Sequence, residues 1–401
     1  MKSSGLRLSC MESTHLRAPY PNIAKEAAKP NAASSTSAHY VALVISDLGS
    51  GGAQRVLVQL AEAWIKSGRK VTVITFAKPE QDFFQLPAGI SRIAVSGIGQ
   101  SRSLLGALFA NLDRVRRLRK ALRDSGAQVA LAFIMPMAVL TVLATIGLSI
   151  RVVACERNDP GRQSFGLSWD YLRWLTYPWA DVVTANSRGA LAALRAYIPS
   201  HKLLYVANPI PAPPSGERAS LDAPTILSIG RLHYQKAHDV LLKAFALFRE
   251  KHSDWRLAII GEGPEAEGLR NLARELGIED RVDWLGVQSD PYPWLRSARI
   301  FALASRHEGT PNALLEAMSC GLPCLVSDAS PGPLELVSDG STGLVVPVDD
   351  HVALAARMTR LAEDSTLAQK LGESARQCLG ANCPATAIQT WERAIQLALK
   401  V

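Results

Sequence analysis

The sequence predicts an α/β protein made of two Rossmann-like domains that face each other across a cleft. Short apolar strands alternate with longer helical segments from Tyr40 onward, which is the pattern of a doubly wound parallel sheet. Four prolines within residues 208–216 interrupt this alternation, and it then starts again. Because proline continues neither a helix nor a strand ladder, the interruption predicts a linker. The 401 residues, 48% of them hydrophobic, suffice for two globular cores.

The N-terminal half opens with a strand, a glycine-rich turn, a helix and a second strand, which is how a doubly wound sheet begins. An uncharged stretch at 125–150 follows, and it is long enough to cross a membrane. Pro136 and Gly147 interrupt it, so we predict a buried strand and a buried helix there, with a membrane helix as the alternative. The predicted strands lie at 40–45, 71–76, 129–134 and 151–155, and the predicted helices at 53–67 and 137–148.

The C-terminal half repeats the alternation, and glycines follow its first two strands. A ligand is expected in the crevice between the two halves, at the carboxyl ends of the strands. The predicted strands lie at 225–229, 256–260, 282–285, 300–304, 323–327 and 342–346, and the predicted helices at 237–252, 265–276, 293–298, 312–319, 350–363, 366–379 and 385–399.

These elements divide the chain into two domains. The leader mixes Ser, Ala, Pro and Lys without a long apolar region, so a secretory signal is not expected. The predicted parts are a flexible leader at 1–39, an N-terminal domain at 40–208, a linker at 209–222, a C-terminal domain at 223–384, and a helix at 385–401 that is a candidate for crossing back to the N-terminal domain.

Charge is divided unevenly between the two halves. Residues 40–208 hold 20 Lys and Arg against 10 Asp and Glu, whereas residues 209–401 hold 19 against 24. A basic domain beside an acidic one suggests that the two face different partners. The six cysteines show neither zinc-site spacing nor a disulfide framework, which fits a reducing compartment. We expect a cytoplasmic protein, with peripheral attachment to the inner face of the plasma membrane as an option.

Two glutamates give the strongest chemical signal. Glu308 follows a predicted strand, and Glu316 lies about one turn into the next predicted helix. Both could face the crevice, where a carboxylate can accept hydrogen bonds from sugar hydroxyls and from a ribose diol. The helix start between them offers backbone N–H groups to an anion, and Gly309 allows a close approach of backbone to a ligand.

Two cations after another strand give the second signal. Arg231 ends the strand, and Lys236 follows five residues later, before a helix. Together they could neutralise a diphosphate and the charge that develops on it. His233 lies between them and is a weaker candidate. A glycine-rich turn with Gly51 and Gly52 lacks the spacing of the dinucleotide fingerprint, so no nicotinamide cofactor is expected.

These segments resemble the retaining glycosyltransferases of the large family 4, the glycosyl transferases group 1. The stretch 305–323 around Glu308 and Glu316 resembles their E-x7-E motif almost throughout. The resemblance extends over about residues 40–395. It also includes Arg231 with Lys236, the glycine-rich turn at 51–53, GEGP at 261–264, GP with Glu335 at 332–335, and ERNDP at 156–160, which recurs in the polysaccharide-building branch.

The resemblance implies the GT-B fold and a UDP- or GDP-sugar held mainly by the C-terminal domain. It implies front-face attack with retention, in which the leaving phosphate oxygen takes the acceptor proton. The catalytic residues would be Glu308, Arg231 and Lys236. The donor-binding residues would be Glu316, Gly51, Gly52, Gly309, Thr310, Asn312, Ala313, Leu314 and Leu315, with the backbone around 309–310 and 312–315 lining the sugar and phosphates. Glu156 and Arg157 would shape the acceptor region.

One position departs from the family. Many relatives place a histidine after a strand in the N-terminal crevice, and residues 133–137 here read FIMPM, so a histidine-assisted step is in doubt. No Asp-x-Asp occurs in the chain, which fits a site where Arg231 and Lys236 replace a metal ion. Neither a metal nor a cofactor is predicted.

The implied function is transfer of a hexose to a glycan or a polyprenyl-diphosphate-linked acceptor in surface polysaccharide or glycoconjugate synthesis. Alternatives are a nucleotide-sugar epimerase, a glycan phosphorylase, or a membrane-surface module without activity. A phosphorylase would need a pyridoxal lysine and a longer chain. A binding module would not need all of Glu308, Glu316, Arg231 and Lys236.

A membrane surface is a further candidate partner. Residues 111–124 form a basic amphipathic helix, and aromatic residues cluster at 165–179, a combination that suits an anionic headgroup region. A solvated helix and buried tryptophans would explain the same pattern. Nucleic acid is not an expected partner, because no recognition motif accompanies the charge.

Overall fold

The computed structural model describes residues 38–95, 104–210 and 212–400. The predicted leader at 1–39 lies outside these residues except for its last two. The first domain, within this described part, is built on seven parallel strands: β1 (Tyr40–Ile45), β2 (Lys70–Thr75), β3 (Ser91–Ala94), β4 (Val129–Phe133), β5 (Arg151–Glu156), β6 (Val182–Ala185) and β7 (Leu203–Tyr205). Their spatial order is β3-β2-β1-β4-β5-β6-β7. The direction of winding reverses between β1 and β4, which is where such sheets open a ligand crevice.

Helices cover both faces of this sheet: α1 (Gly52–Lys66), α2 (Leu104–Ser125), α3 (Met135–Thr145), α4 (Leu167–Thr176) and α5 (Arg188–Leu194). The uncharged stretch at 125–150 divides into β4 and α3, and nearly all of their side chains are buried in the domain core. Within the described chain, no helix is both long enough and apolar enough to span a bilayer. The prediction of a buried strand and helix is thus what the structure shows.

The second domain repeats the architecture with six described strands: β8 (Thr225–Ile229), β9 (Arg256–Ile260), β10 (Val282–Trp284), β11 (Ile300–Leu303), β12 (Cys324–Ser327) and β13 (Leu344–Val346). They pair in parallel in the order β10-β9-β8-β11-β12-β13. The helices that follow or flank them are α6 (His238–Arg249), α7 (Ala266–Glu275), α8 (Tyr292–Ser297), α9 (Asn312–Ser319), α10 (Pro331–Leu336), α11 (His351–Glu363) and α12 (Ser365–Gln377).

The last helix, α13 (Pro384–Lys400), packs on the sheet of the first domain. Trp391 is fully buried there, with its ring centroid 5.6 Å from that of Phe133. Arg69 donates two hydrogen bonds of 2.7 and 2.8 Å to the carboxylate of Glu392. Because α13 covers β4 and β5, the end of the chain completes the core of the first domain.

The chain crosses between the domains twice, and the two crossings lie side by side. The N–H of Ile210 donates to the carbonyl of Asn382 at 2.8 Å. The side-chain amide of Asn382 donates back to the carbonyl of Asn208 at 3.0 Å. A pair of adjacent crossing segments is the arrangement about which two domains can hinge.

The predicted bounds of the first domain leave out β3, β6, β7, α4 and α5, and they differ at α2. β3 was not expected, because it is a four-residue edge strand whose side chains are only partly buried, so it lacks the apolar run that marks the central strands. α2 begins at Leu104 and so extends one to two turns before the predicted basic segment at 111–124.

Candidate active site

A cleft of about 1220 Å³ separates the carboxyl ends of the strands of the two domains. Loops after β1, β4 and β5 line one wall, and loops after β8, β9 and β11 line the other. Of the residues predicted for the site, those that line the cleft are Gly51, Gly52, Glu156, Arg157, Arg231, Lys236, Glu308, Gly309, Thr310, Asn312, Ala313 and Glu316. The cleft is large enough for a nucleotide sugar together with part of an acceptor.

Lys236 and Glu308 form an ion pair in the wall made by the second domain. Nζ of Lys236 lies 2.5 Å from Oε1 of Glu308, and the Ser305 hydroxyl donates to the same oxygen at 2.7 Å. Lys236 ends a short 3₁₀ turn after β8, while Glu308 comes from the loop after β11. Only 6% of Glu308 is exposed, so these two donors provide the compensation that a buried carboxylate requires.

The loop that carries Glu308 is fixed by hydrogen bonds at both the backbone and the side chains. The Glu308 N–H donates to Oγ of Ser330 at 2.9 Å, and that hydroxyl donates to the Glu308 carbonyl at 2.7 Å. Gln235 donates from Nε2 to the carbonyl of His307 at 2.9 Å, which ties the Glu308 loop to the Lys236 loop. The charged groups are therefore held on two mutually bonded loops.

Arg231 lies at the open side of the same wall, exposed and lining the cleft. Close backbone packing shapes its loop: a Cβ on Gly261, whose φ is +146°, would lie 2.0 Å from the carbonyl oxygen of Gly230. His233 also lines the cleft and accepts a hydrogen bond from the Gln235 N–H at Nδ1. His238 lies in the core behind this loop, and burial, followed by the charge of Lys236, lowers its pKa to about 4.

Glu316, in the second domain, contacts the first domain. It lies on α9, one turn after Asn312, and its side chain is 4% exposed. Arg55 of α1 donates to its Oε1, and the Asn312 amide donates to the carbonyl of Gly52 at 3.0 Å. Burial raises the pKa of Glu316, and the charge and hydrogen bond of Arg55 oppose that rise.

Comparison with known proteins identifies this arrangement. Residues 50–212 match the family model described as Glycosyltransferase Family 4, and residues 215–378 match the model described as Glycosyl transferases group 1. The chain is a GT-B glycosyltransferase of group 1 and family 4. The resemblance in the sequence, the two-domain fold and the assignment as an enzyme are thereby confirmed.

Relatives match this glycosyltransferase over most of their length. An uncharacterized glycosyltransferase of Haemophilus influenzae is 28% identical over 84% of this chain and 94% of its own. The GalNAc-α-(1→4)-GalNAc-α-(1→3)-diNAcBac-PP-undecaprenol α-1,4-N-acetyl-D-galactosaminyltransferase of Campylobacter jejuni is 28% identical over 84% of this chain and 92% of its own. The crystal structure of Anabaena HepE with UDP and glucose has a TM-score of 0.74, 18% identity, and coverage of 89% and 99% of the two chains, which shows the shared fold.

Two predicted donor-binding residues of the glycosyltransferase, which were expected to act through their backbone, have side chains that face away from the cleft. Leu314 and Leu315 are fully buried in the core of the second domain, where they pack against its strands and helices. They follow Ala313 on α9, and the helical rotation of about 100° per residue directs them inward. Ala313, which lines the cleft, is thus followed by two side chains of the core, and a backbone role of Leu314 and Leu315 in donor binding stays a prediction.

Gly309 is explained by contact between the domains. A Cβ there would lie 2.8 Å from the Arg157 carbonyl oxygen and 2.8 Å from Oδ1 of Asn186. The adjacent Thr310 donates to the carbonyl of Asn186, and Asn208 donates to the carbonyl of Thr310 at 3.0 Å. The structure thus shows a close approach of this backbone to the other domain, and the predicted close approach to a ligand stays a prediction.

Glu156 and Arg157, predicted for the acceptor region, lie at the end of β5. Burial raises the pKa of Glu156, although Arg173 lies 3.9 Å away and the Tyr177 hydroxyl donates to it at 3.2 Å. The Arg157 guanidinium lies 5.5 Å from the Trp391 ring centroid, and burial lowers its pKa to about 10. Both residues therefore lie where the sheet of the first domain, helix α13 and the cleft meet.

Sequence reasoning missed three features of the site. Arg55 and Ser305 contact the two glutamates, yet neither stands out in the sequence. Ile134, in the segment 133–137 that departs from the resemblance, lines the cleft with a φ of +71°, a conformation that is a genuine outlier for a β-branched residue. In the described parts of the chain, no three His, Cys, Asp or Glu side chains are grouped as a potential metal site.

Proposed function

We propose that this glycosyltransferase moves a hexose from a UDP- or GDP-sugar to a lipid-linked glycan or polysaccharide precursor, with retention of the anomeric configuration and without a metal ion. The observation that carries the proposal is the convergence of Arg231, the Lys236–Glu308 pair and Glu316 in one interdomain cleft. Cations beside carboxylates at separate points of a cleft suit a ligand that is anionic in the middle and hydroxylated at both ends.

Each of these residues would act on a different part of such a donor. Arg231 and Lys236 would neutralise the diphosphate and the charge that grows on it as the sugar departs. Glu308, fixed by Lys236 and Ser305, would face the sugar ring, where positive charge develops in the transition state. Glu316 would accept hydrogen bonds from the ribose hydroxyls, away from the bond that breaks.

Retention follows if the acceptor attacks from the side of the departing phosphate. The leaving phosphate oxygen would then take the acceptor proton, so no protein base is needed. Glu156 is consistent with a mechanism that uses no protein base, because it is only 2% exposed and its carboxylate is engaged by Tyr177 and Arg173. Those two partners hold it as part of the wall of the cleft.

The test is release of nucleoside diphosphate during incubation with UDP- and GDP-sugars and candidate acceptors. We expect transfer to continue in excess EDTA, and NMR of the product to show the same anomeric configuration as the donor. An inverted product, or activity that is lost in EDTA and restored by Mg²⁺ or Mn²⁺, would contradict the mechanism. An epimerase would instead interconvert the donor sugars without an acceptor.

A lipid-linked acceptor is supported from outside the cleft. The Campylobacter jejuni relative is named for an undecaprenol diphosphate glycan. α2, α3 and α4 lie on one face of the first sheet, and α2 carries an exposed stripe at spacings of three and four residues. This stripe consists of Phe109, Leu112, Arg116, Lys120 and Arg123.

α4, which packs on α3 as α2 does, adds an exposed apolar face. Leu167 is 90% exposed, and Tyr171, Trp174 and Leu175 share its side of the helix. Cations and large apolar side chains exposed on helices of one sheet face suit the headgroup region of an anionic bilayer. We propose that the enzyme is cytoplasmic and binds the inner face of the plasma membrane through this surface; the described cysteines, all unpaired, fit a reducing compartment.

A further inference from the structure

Two facing helices align residues of the two domains across the donor part of the cleft. On α1, Gly52 and Arg55 are three residues apart; on α9, Asn312 and Glu316 are four residues apart. Asn312 contacts Gly52, and Arg55 contacts Glu316. Because these spacings place each pair on one helix face, the Arg55 contact belongs to an interface with two consecutive points of attachment.

Arg55 is held in place on two sides. Its guanidinium donates to Oε1 of Glu316 and lies 5.7 Å from the ring centroid of Phe84, which is within the range of a cation–π contact. Arg55 is 22% exposed, whereas Glu316 is 4% exposed. In the described part of the chain, Arg55 is the side chain that hydrogen-bonds this carboxylate.

A carboxylate as buried as Glu316 takes up a proton unless a cation compensates its charge. The groups that face it from the surrounding elements do not provide one. Asp290, from the loop before α8, carries like charge, and Tyr292 of α8 and Cys320 at the end of α9 are neutral near pH 7. Arg55, from the other domain, is the cation that favours the ionised form.

We infer that Arg55 is a positioning residue for the donor: it keeps Glu316 ionised and oriented, with its second oxygen left to accept a ribose hydroxyl. This inference rests on the proposed function, in which Glu316 receives the ribose. Arg55 acts through Glu316, so its loss raises the donor dissociation constant rather than slowing the chemical step. It also means that a charged side chain of the first domain, beside Gly51 and Gly52 of the same domain, contributes to donor affinity.

The experiment is UDP binding by calorimetry, with GDP in parallel, between about pH 5.5 and pH 8.5. We expect Arg55→Gln to bind about tenfold more weakly than wild type at the acid end, since Glu316 is then protonated. Affinity should approach the wild-type value as the pH rises and the carboxyl ionises. Arg55→Lys should restore binding at low pH, because it keeps the charge. Lys66→Gln, an exposed change on α1, should match wild type throughout.

A double variant provides the decisive control. Glu316→Gln cannot ionise, so its binding should not vary with pH in this way, and adding Arg55→Gln to it should weaken binding no further. A loss in Arg55→Gln that is the same at every pH, or that adds fully to the loss in Glu316→Gln, would overturn the inference. If Arg55→Gln proves unfolded by thermal denaturation, Arg55→Met, which keeps an apolar chain of similar length, takes its place. Failure of wild type to bind either nucleotide would instead refute the proposed function.

Discussion

The ammonium of Lys236 lies 2.5 Å from the carboxylate of Glu308, although 72 residues separate them in the chain. One side chain is assigned to the diphosphate and the other to the sugar, so the pair spans the bond that would break. The Ser305 hydroxyl donates a hydrogen bond to the same carboxylate oxygen. The arrangement fixes both groups before they could meet a donor, which is what electrostatic stabilisation of a transition state requires.

Glu308→Gln and Glu316→Gln should fail in different ways. Glu308 acts where charge develops, so its neutral isostere should lower kcat, whereas Glu316 acts on the remote ribose and its isostere should raise the donor KM. Steady-state kinetics of both variants with one donor make the comparison. An unchanged kcat in Glu308→Gln, or a lowered kcat with an unchanged KM in Glu316→Gln, would show that the roles are assigned wrongly.

Lys236→Ala should reduce kcat/KM by about 10²–10³, because a diphosphate would lose one of the two cations that stabilise the charge developing on it. Lys243→Ala is the matched control, since Lys243 is an exposed lysine on the adjoining α6. Transfer rates and circular dichroism of both variants are the measurements. A folded Lys236→Ala enzyme within threefold of wild type would remove Lys236 from the mechanism.

Acid should destabilise the fold through His238. Its pKa is about 4 in the folded protein against 6.5 without the protein environment, so the unfolded chain binds the proton first as the pH falls. Stability from this residue is complete above about pH 6.5 and declines towards pH 4, by roughly 3 kcal/mol in total. Urea unfolding at several pH values should show a shallower acid loss for His238→Asn.

His201→Asn is the control for that experiment, because His201 is exposed. It should lose stability in acid as steeply as wild type. If His238→Asn and His201→Asn behaved alike, His238 would have no part in the acid sensitivity.

Reversing Arg116, Lys120 and Arg123 to Glu should release the protein from anionic vesicles at low salt, since each cation near such a surface contributes about 1 kcal/mol. High salt should release the wild type as well. Vesicle co-sedimentation measures both effects. The same reversal at Lys243, Lys251 and Lys370, exposed lysines of the second domain, should leave binding intact. Equal binding by the two triple variants, or none by wild type, would contradict the membrane surface.

The sequence predicted well those parts of the site that depend on local order. The spacing of Glu308 and Glu316 places one in a loop and the other one turn into a helix, and α9 begins at Asn312 as expected. Arg231 and Lys236 follow β8 as expected, because parallel strands bring their carboxyl ends to one edge. Apolar runs of strand length sufficed to locate most strands.

Contacts between the domains could not be predicted. Arg55 and Glu316 are 261 residues apart, and their pairing depends on how the two sheets are set against each other. The same holds for Gly309, which packs against Arg157 and Asn186. The inward rotation of Leu314 and Leu315 could have been predicted from helical periodicity, since Ala313 and Glu316 define the face towards the cleft.

The position of α13 has a consequence for the order in which the protein folds as it is synthesised. Trp391 covers Phe133 from the far end of the chain, so the first domain to emerge from the ribosome is the last to gain a complete core. The second domain can bury its own strands earlier. A nonsense mutation just before Trp391 would therefore be expected to unfold the part of the enzyme translated first, while Lys236 and Glu308 remained in a folded domain.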